Sequence, residues 1–319
     1  MRFVIALAAL LFLATFAPPR LNRPEPPPPQ SFLAAVPVPL DVSDPGRASL
    51  GRLRYLGGWA LSSNDLRFGG ISAMHVGDEE VTGLSDAGLV IRFARPDRGP
   101  PRTVAIAPLA QGPGSGRRKT DRDIESLTAY GPFAWVAFER INEVWRYRAG
   151  WLRDASNAPP AMEDWRANRG PEAMVRLPDG RFLIFPERNG RRTGPLLFEG
   201  DPAVPGTRTV ALRYRPPGEG YRITDAALLP DGRLLLLHRR FRLLGGISAE
   251  LLVLRLPELA EGTILSGAEI ADFRTPVTVD NMEALSVTQE GGRTIVWIAS
   301  DDNFSPLQRT LLMKFALDL

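Results

Sequence analysis

Carboxylates set at matching points of successive short strands are the residues of this chain best suited to chemistry. Asp123 and Glu125 open an apolar hairpin that ends at Glu139 and Arg140; Glu172 opens one that ends at Glu187 and Arg188; Glu283 opens one that ends at Asp301, Asp302 and Asn303. Two weaker copies complete the series. One runs from Gly70-Ile71-Ser72-Ala73 to Ser85-Asp86, the other from Ile223-Thr224-Asp225 to His238-Arg239-Arg240. Oxygen-rich clusters are the preference of calcium and magnesium, and a cation held there could bind a substrate phosphate and activate water. Carboxylates gathered without a cation or an arginine repel one another and hold protons to unusually high pH. Arg140, Arg188, Arg239 and Arg240 offer the other solution, a salt-bridge network that holds the repeats in register. Residue types alone leave both solutions open.

The elements that must position these groups recur about every fifty residues, a period that marks solenoids, propellers and arrays. Phe133–Phe138, Arg181–Phe185, Leu234–Leu237 and Thr294–Ile298 are short, apolar and rich in branched or aromatic residues. They read as strands buried on both faces. Glu172 and Glu187 are equidistant from the turn dipeptide Asp179-Gly180, and Glu125 and Glu139 from Pro132, so each pair is expected to face across a hairpin mouth. Matching the Pro-Asp-Gly of 178–180 to that of 230–232 sets Thr224 in the place of Glu172 and Arg239 in that of Glu187. Further strands follow each hairpin, such as Val144–Tyr147, Leu196–Phe198, Leu251–Leu256 and Leu311–Phe315, and then an outer strand such as Thr209–Tyr214. Four-stranded units packed radially make an all-β propeller. Five blades are counted; a sixth would have to occupy residues 36–62 or 151–168. The strand Leu53–Leu61 is expected to join the last blade and close the ring. The alternative, a pair of β-sandwiches, does not explain the equal hairpins. In a propeller the inner strands line a channel, so Asp86, Asp123, Glu125, Glu139, Glu172, Glu187, Glu283, Asp301 and Asp302 would converge at one mouth.

Composition narrows the function classes. The chain has 319 residues, enough for one large all-β domain. Its 39 basic residues are nearly matched by 36 acidic ones, which argues against a nucleic-acid partner despite a pI near 9.6. The densest basic run, Arg117-Arg118-Lys119, reads as a solvated loop. There is no cysteine, hence no disulfide, thiolate metal site or lipid-modified cysteine. His75 and His238 are the only histidines, too few for zinc chemistry and expected to be ordinary strand side chains rather than the base of a serine triad. Gly70-Ile71-Ser72-Ala73 and Gly246-Ile247-Ser248-Ala249 lack the closing glycine of a nucleophile elbow. No phosphate-binding Gly-Lys-Ser/Thr loop or dinucleotide fingerprint is present. Arg2 followed by the apolar stretch Phe3–Ala17 reads as a signal peptide or uncleaved anchor over 1–17. A proline-rich linker, 18–35, and a folded domain, 36–319, follow. The protein is expected to be periplasmic or secreted, monomeric, and in contact with a membrane only through that N-terminal segment.

The Glu172-Ala173-Met174 and Glu283-Ala284-Leu285 starts, the Glu139-Arg140 and Glu187-Arg188 ends, and above all the run Ser300-Asp301-Asp302-Asn303-Phe304-Ser305-Pro306-Leu307-Gln308-Arg309-Thr310-Leu311-Leu312 resemble the bacterial phytase-like proteins described by an esterase-like activity of phytase. The resemblance covers Leu53 to Leu319. It implies an exported β-propeller with phosphoesterase activity on a small phosphorylated substrate. On that reading Glu125, Glu172, Glu283, Asp301 and Asp302 serve catalysis, Arg140, Arg188, Arg240 and Asn303 bind substrate, and Asp86, Glu139 and Glu187 complete the ligands of a metal, calcium. Ser72, Thr224 and Arg239 depart from an acid-complete ring. The rival reading is a non-catalytic propeller that binds a small ligand or an envelope partner.

Overall fold

Side chains of each central strand leave it alternately toward two different neighbours, and this alternation sets the architecture. In Phe133–Phe138, Trp135 and Ala137 pack into one hydrophobic cluster while Val136 and Phe138 pack into another. In Phe182–Pro186, Phe182 and Ile184 join the first of these and Leu183 and Phe185 a third. Leu234, Leu236 and Leu235, Leu237 divide in the same way, as do Trp297, Ala299 and Val296, Ile298. A strand that must bury both faces reads as a continuous apolar run, as these do.

The computed structural model describes residues 27–116, 121–166, 169–188 and 193–319. The expected signal segment, the first half of the linker (18–26) and the basic run at 117–119 lie outside the described residues. The chain enters with β1 (Leu33–Pro37), β2 (Ser49–Leu50) and β3 (Leu53–Ser63). Blade 1 is β4 (Ile71–Val76), β5 (Glu80–Ser85), β6 (Leu89–Ala94) and β7 (Val104–Pro108); blade 2 is β8 (Ile124–Tyr130), β9 (Phe133–Phe138), β10 (Glu143–Arg148) and β11 (Leu152–Asn157). Blade 3 is β12 (Pro171–Arg176), β13 (Phe182–Pro186), β14 (Leu196–Phe198) and β15 (Thr209–Ala211). After β16 (Arg213–Tyr214), blade 4 is β17 (Arg222–Leu228), β18 (Leu234–Arg242), β19 (Gly246–Leu254) and, beyond β20 (Ile264–Leu265), β21 (Ala268–Phe273). Blade 5 is β22 (Met282–Glu290), β23 (Arg293–Ser300) and β24 (Thr310–Leu317), completed by β3, with β1 outside it.

The result is a five-bladed β-propeller. The inner strands β4, β8, β12, β17 and β22 pack one on the next around the axis and return to β4. Each blade interface holds its own core, so there are five clusters rather than one. Residues 36–62 supply no sixth blade, because β3 pairs antiparallel with β24, Leu61 opposite Thr310 and Leu53 opposite Leu317. The strand segment after Trp151 is likewise the outer edge of blade 2. The sheet begins at Leu33, so residues 33–35, expected in the linker, belong to blade 5.

A latch holds blade 5 to blade 1 at the end of the channel far from the acids. The Arg95 side chain is almost fully buried, donates to both carboxylate oxygens of Asp97 and also pairs with Glu290. Lys314 donates to Asp97 and Glu290 at 2.6 Å each, and both cations lie over the Trp297 ring.

Candidate active site at the channel mouth

All five inner strands carry a β-bulge at the same point. Pairing slips between Ile71 and Ala73, Ile124 and Ser126, Pro171 and Ala173, Ile223 and Asp225, and Met282 and Ala284. The extra residue is in turn Ser72, Glu125, Glu172, Thr224 and Glu283. A bulge leaves one residue without a cross-strand partner and re-aims its side chain. The repeated acid is therefore the bulge itself. This corrects the expected pairing: Glu187 faces Gly170 rather than Glu172, and Glu139 faces Asp123 rather than Glu125, as the bonds from Glu187 N–H to Gly170 O and from Glu139 N–H to Asp123 O show. The same rim position is held by Asp86 opposite Gly70, Arg239 opposite Arg222, and Asp301 opposite Asn281.

The two bulges without acids are structural. Ser72 Oγ donates to Ile124 O of the next blade at 2.5 Å, and Thr224 Oγ1 to Met282 O at 3.1 Å. Asp225, fully enclosed, accepts from the Ala226 and Leu285 N–H groups, and burial pushes its carboxyl well up.

The three acidic bulges differ in their company. Glu283 accepts from Asn281 at 2.9 Å and pairs with Arg239 at 3.0 Å. Asp123, Glu125 and Glu139 bring one carboxylate oxygen each within 4.8 Å of one another. Of these, Asp123 is paired with Arg140 at 2.7 Å. Glu125, Glu139 and Glu172 make no ion pair with a described residue. Burial and the charges of Glu172, Asp123, Glu283 and Glu139 push Glu125 far above the ordinary carboxyl range. Burial, with Glu187, Glu139 and Glu283, does the same to Glu172. Burial, with Asp123 and Glu187, pushes Glu139 up to about 8. Asp301 is raised by burial and by Glu283 and Asp86. The mouth is thus two acidic sectors, blades 2 and 3 on one side and blades 5 and 1 on the other.

Other expected site residues lie elsewhere or are committed. Asp302 Oδ1 accepts from the Gly70 and Phe304 N–H groups and its Oδ2 from Thr310 Oγ1, so it clasps blade 5 to the entrance of blade 1. Gly70 has φ +64, and a Cβ there would stand 2.5 Å from the Phe304 ring. Asn303 donates to Asp301 from its backbone and to Gln308 from its amide. Glu187 is held by Arg222 at 2.7 Å, with Arg188 at 3.9 Å. The Arg240 guanidinium lies 4.1 Å over the Tyr221 ring, beside a groove of about 590 Å³ lined by Arg188, Arg222 and Phe241. Neither histidine joins the acids: His238 is buried against Tyr214, Nε2 to hydroxyl 2.6 Å, and His75 lines a groove with Arg95 at the far end. Arg222 was not among the residues expected at the mouth, and Asp123 and Arg239 were expected there but given no role in catalysis, substrate binding or metal binding. The frame that matched Arg239 to Glu187 already held the signal for the last.

The family described as "Phytase-like: Esterase-like activity of phytase" matches residues 66–304. A segment of 109 residues, 34% of this chain, is 30% identical to the mannose-specific lectin TAR1 of Colocasia esculenta, and spans 37% of that protein. Among solved structures the chain is similar to the major Malassezia sympodialis allergen Mala s 1, at 12% identity and TM-score 0.46 over 90% of this chain and 96% of that one. It is also similar to the Myxococcus xanthus glutaminyl cyclase, at 8% identity and TM-score 0.45 over 85% and 100%. With the family match running from the entrance of blade 1 to the loop after β23, this chain belongs to the phytase-like family.

Proposed function

We propose that the protein is an exported, calcium-dependent phosphoesterase whose site is the acidic sector of blades 2 and 3. The observation that carries this reading is the convergence of Asp123, Glu125 and Glu139 within 4.8 Å, with Glu125, Glu139 and nearby Glu172 left without a counterion among the described residues. Oxygens that share one calcium at about 2.3–2.6 Å stand no more than about 5 Å apart, a condition these three meet. The donor set is all oxygen and carries excess negative charge, as a hard divalent cation requires. Calcium, when bound, supplies charge to polarise a phosphoryl oxygen and to acidify water. Asp123, Glu125 and Glu139 would hold it. Glu172 stands beside them and is the group assigned to proton transfer at its carboxyl oxygen. Arg140 and Arg188, on the rim, add positive charge for an incoming phosphate ester. Export rests on the apolar segment Phe3–Ala17.

The test is to strip the purified protein with chelator and measure calcium binding, then turnover on a panel of phosphate and carboxylic esters with and without calcium. Saturable binding and calcium-restored phosphate-ester turnover are expected. Binding without turnover would favour a ligand-binding propeller, and absence of both would overturn the proposal.

A further inference from the structure

Blade 4 breaks the rule that the other blades follow. The residue that ends the second strand's run into the mouth is Asp86, Glu139, Glu187 or Asp301 in four blades and Arg239 in the fourth. Adjacent strand residues point to opposite faces, and Arg240, next in sequence, stacks outward on Tyr221. Arg239 points into the ring, where Glu283, Glu172, Glu187 and Asp301 all act on it; burial alone would lower its pKa, and these four charges raise it instead. It thus stands between the two acidic sectors. Among the described residues its ion pair goes to Glu283, and its Nε is buried with no hydrogen-bond partner. Buried guanidinium N–H groups are rarely left unmet in a finished structure. Arg140 is committed to Asp123 and Arg222 to Glu187; Arg188 lies on the rim 3.9 Å from Glu187, and Arg240, whose Nε is likewise without a hydrogen-bond partner, is turned outward onto Tyr221, so Arg239 is the one aimed into the ring.

Building on the phosphoesterase reading, we propose that Arg239 is the residue that grips the substrate's phosphoryl oxygens, from blade 4, facing the carboxylates of blades 2 and 3. The planar fork of an arginine matches a phosphate monoester dianion with two parallel hydrogen bonds, which a lysine cannot reproduce. A neutral carboxylic ester offers no such partner, so Arg239 selects for phosphate esters.

The test titrates inorganic phosphate into the calcium-loaded full-length protein by calorimetry, with calcium titrated in parallel. Wild type is expected to bind phosphate, Arg239→Gln about 10- to 100-fold more weakly, as the loss of hydrogen bonds to a charged group implies. Arg239→Lys should fall between them, and calcium affinity should be unchanged or tighter in both. The double variant Arg239→Gln/Glu283→Gln removes the ion pair as a unit and keeps the test available should the single change unfold the protein. Equal phosphate affinity in wild type and the Gln variants, or calcium-loaded wild type that binds no phosphate, would overturn the assignment. Phosphate held through Arg239 in a protein that turns over no ester would sustain it and sink the phosphoesterase reading instead.

Discussion

On the blade 2 and 3 side of the mouth, Glu125, Glu139 and Glu172 are the acids that make no ion pair with a described residue. Their neighbours are satisfied: Asp123 by Arg140, Glu187 by Arg222, Glu283 by Arg239 and Asn281. Charge pairing that stops short at three adjacent groups leaves room for a cation or for protons. Without metal the protons must stay. The folded protein then holds more protons than the unfolded chain between the ordinary carboxyl value of 4.5 and the value of about 8 reached by Glu139, so stability falls as pH rises through that window. Chelator-stripped protein should therefore melt at progressively lower temperature from pH 5 to pH 8, and calcium should flatten the slope. Glu125→Gln removes a carboxyl that must hold a proton to stay buried without metal, and one metal oxygen with it. Its metal-free form should melt about 2–4 °C higher than wild type at pH 8, for a gain of about 1 kcal/mol, while its calcium affinity should drop about tenfold or more. Thermal melts and calorimetry read both effects. The identities of these acids were legible in the sequence. Which of them lacked a counterion was not, because Arg222, the partner of Glu187, lies in another blade and outside the repeated pattern.

Strands and bulges determine where each acid points. Hairpin counting located the inner strands and turns, since Tyr130 does face Phe133 around Gly131, with φ +57, and Leu228 faces Leu234. It assumed one-to-one pairing up to the mouth, and the bulge broke that assumption by giving the inner strand one extra residue. The bulge residue then has two uses, an acid in blades 2, 3 and 5 and a hydroxyl staple in blades 1 and 4. Ser72→Ala should strand the Ile124 carbonyl and cost about 1–2 kcal/mol in chemical denaturation, without change in calcium affinity. Asp302→Ala tests the clasp. It leaves the Gly70 and Phe304 N–H groups unmet and should cost about 2–4 kcal/mol. Its calcium affinity, measured by the same calorimetry, should stay at the wild-type value, because both Asp302 oxygens are already committed.

Five blades with five separate cores need a closed ring, since an open one would expose the face of a blade and the edge of β24. Closure by the early strand was legible, because Leu53–Leu61 precedes the first acidic hairpin and the simplest closure gives it to the last blade, where it pairs with β24. The latch was not. Lys314 and Asp97 lie 217 residues apart in sequence, and no local pattern links them. Lys314→Ala should lower stability by about 2–3 kcal/mol, less than for a fully buried pair because Asp97 and Glu290 retain some contact with water. Activity at the opposite end of the channel should survive at temperatures where the variant remains folded. The ring also fixes the unequal spacing of charge at the mouth, acids from blades 2 and 3 against arginine from blade 4, on which the functional proposal depends. Calorimetric titration of calcium into chelator-stripped wild type and Glu125→Gln at pH 7.5 tests it most directly. Saturable binding in wild type that weakens about tenfold or more in the variant is the predicted result. A wild type that takes up no calcium, or a variant that binds it equally well, would contradict the placement of a cation among Asp123, Glu125 and Glu139.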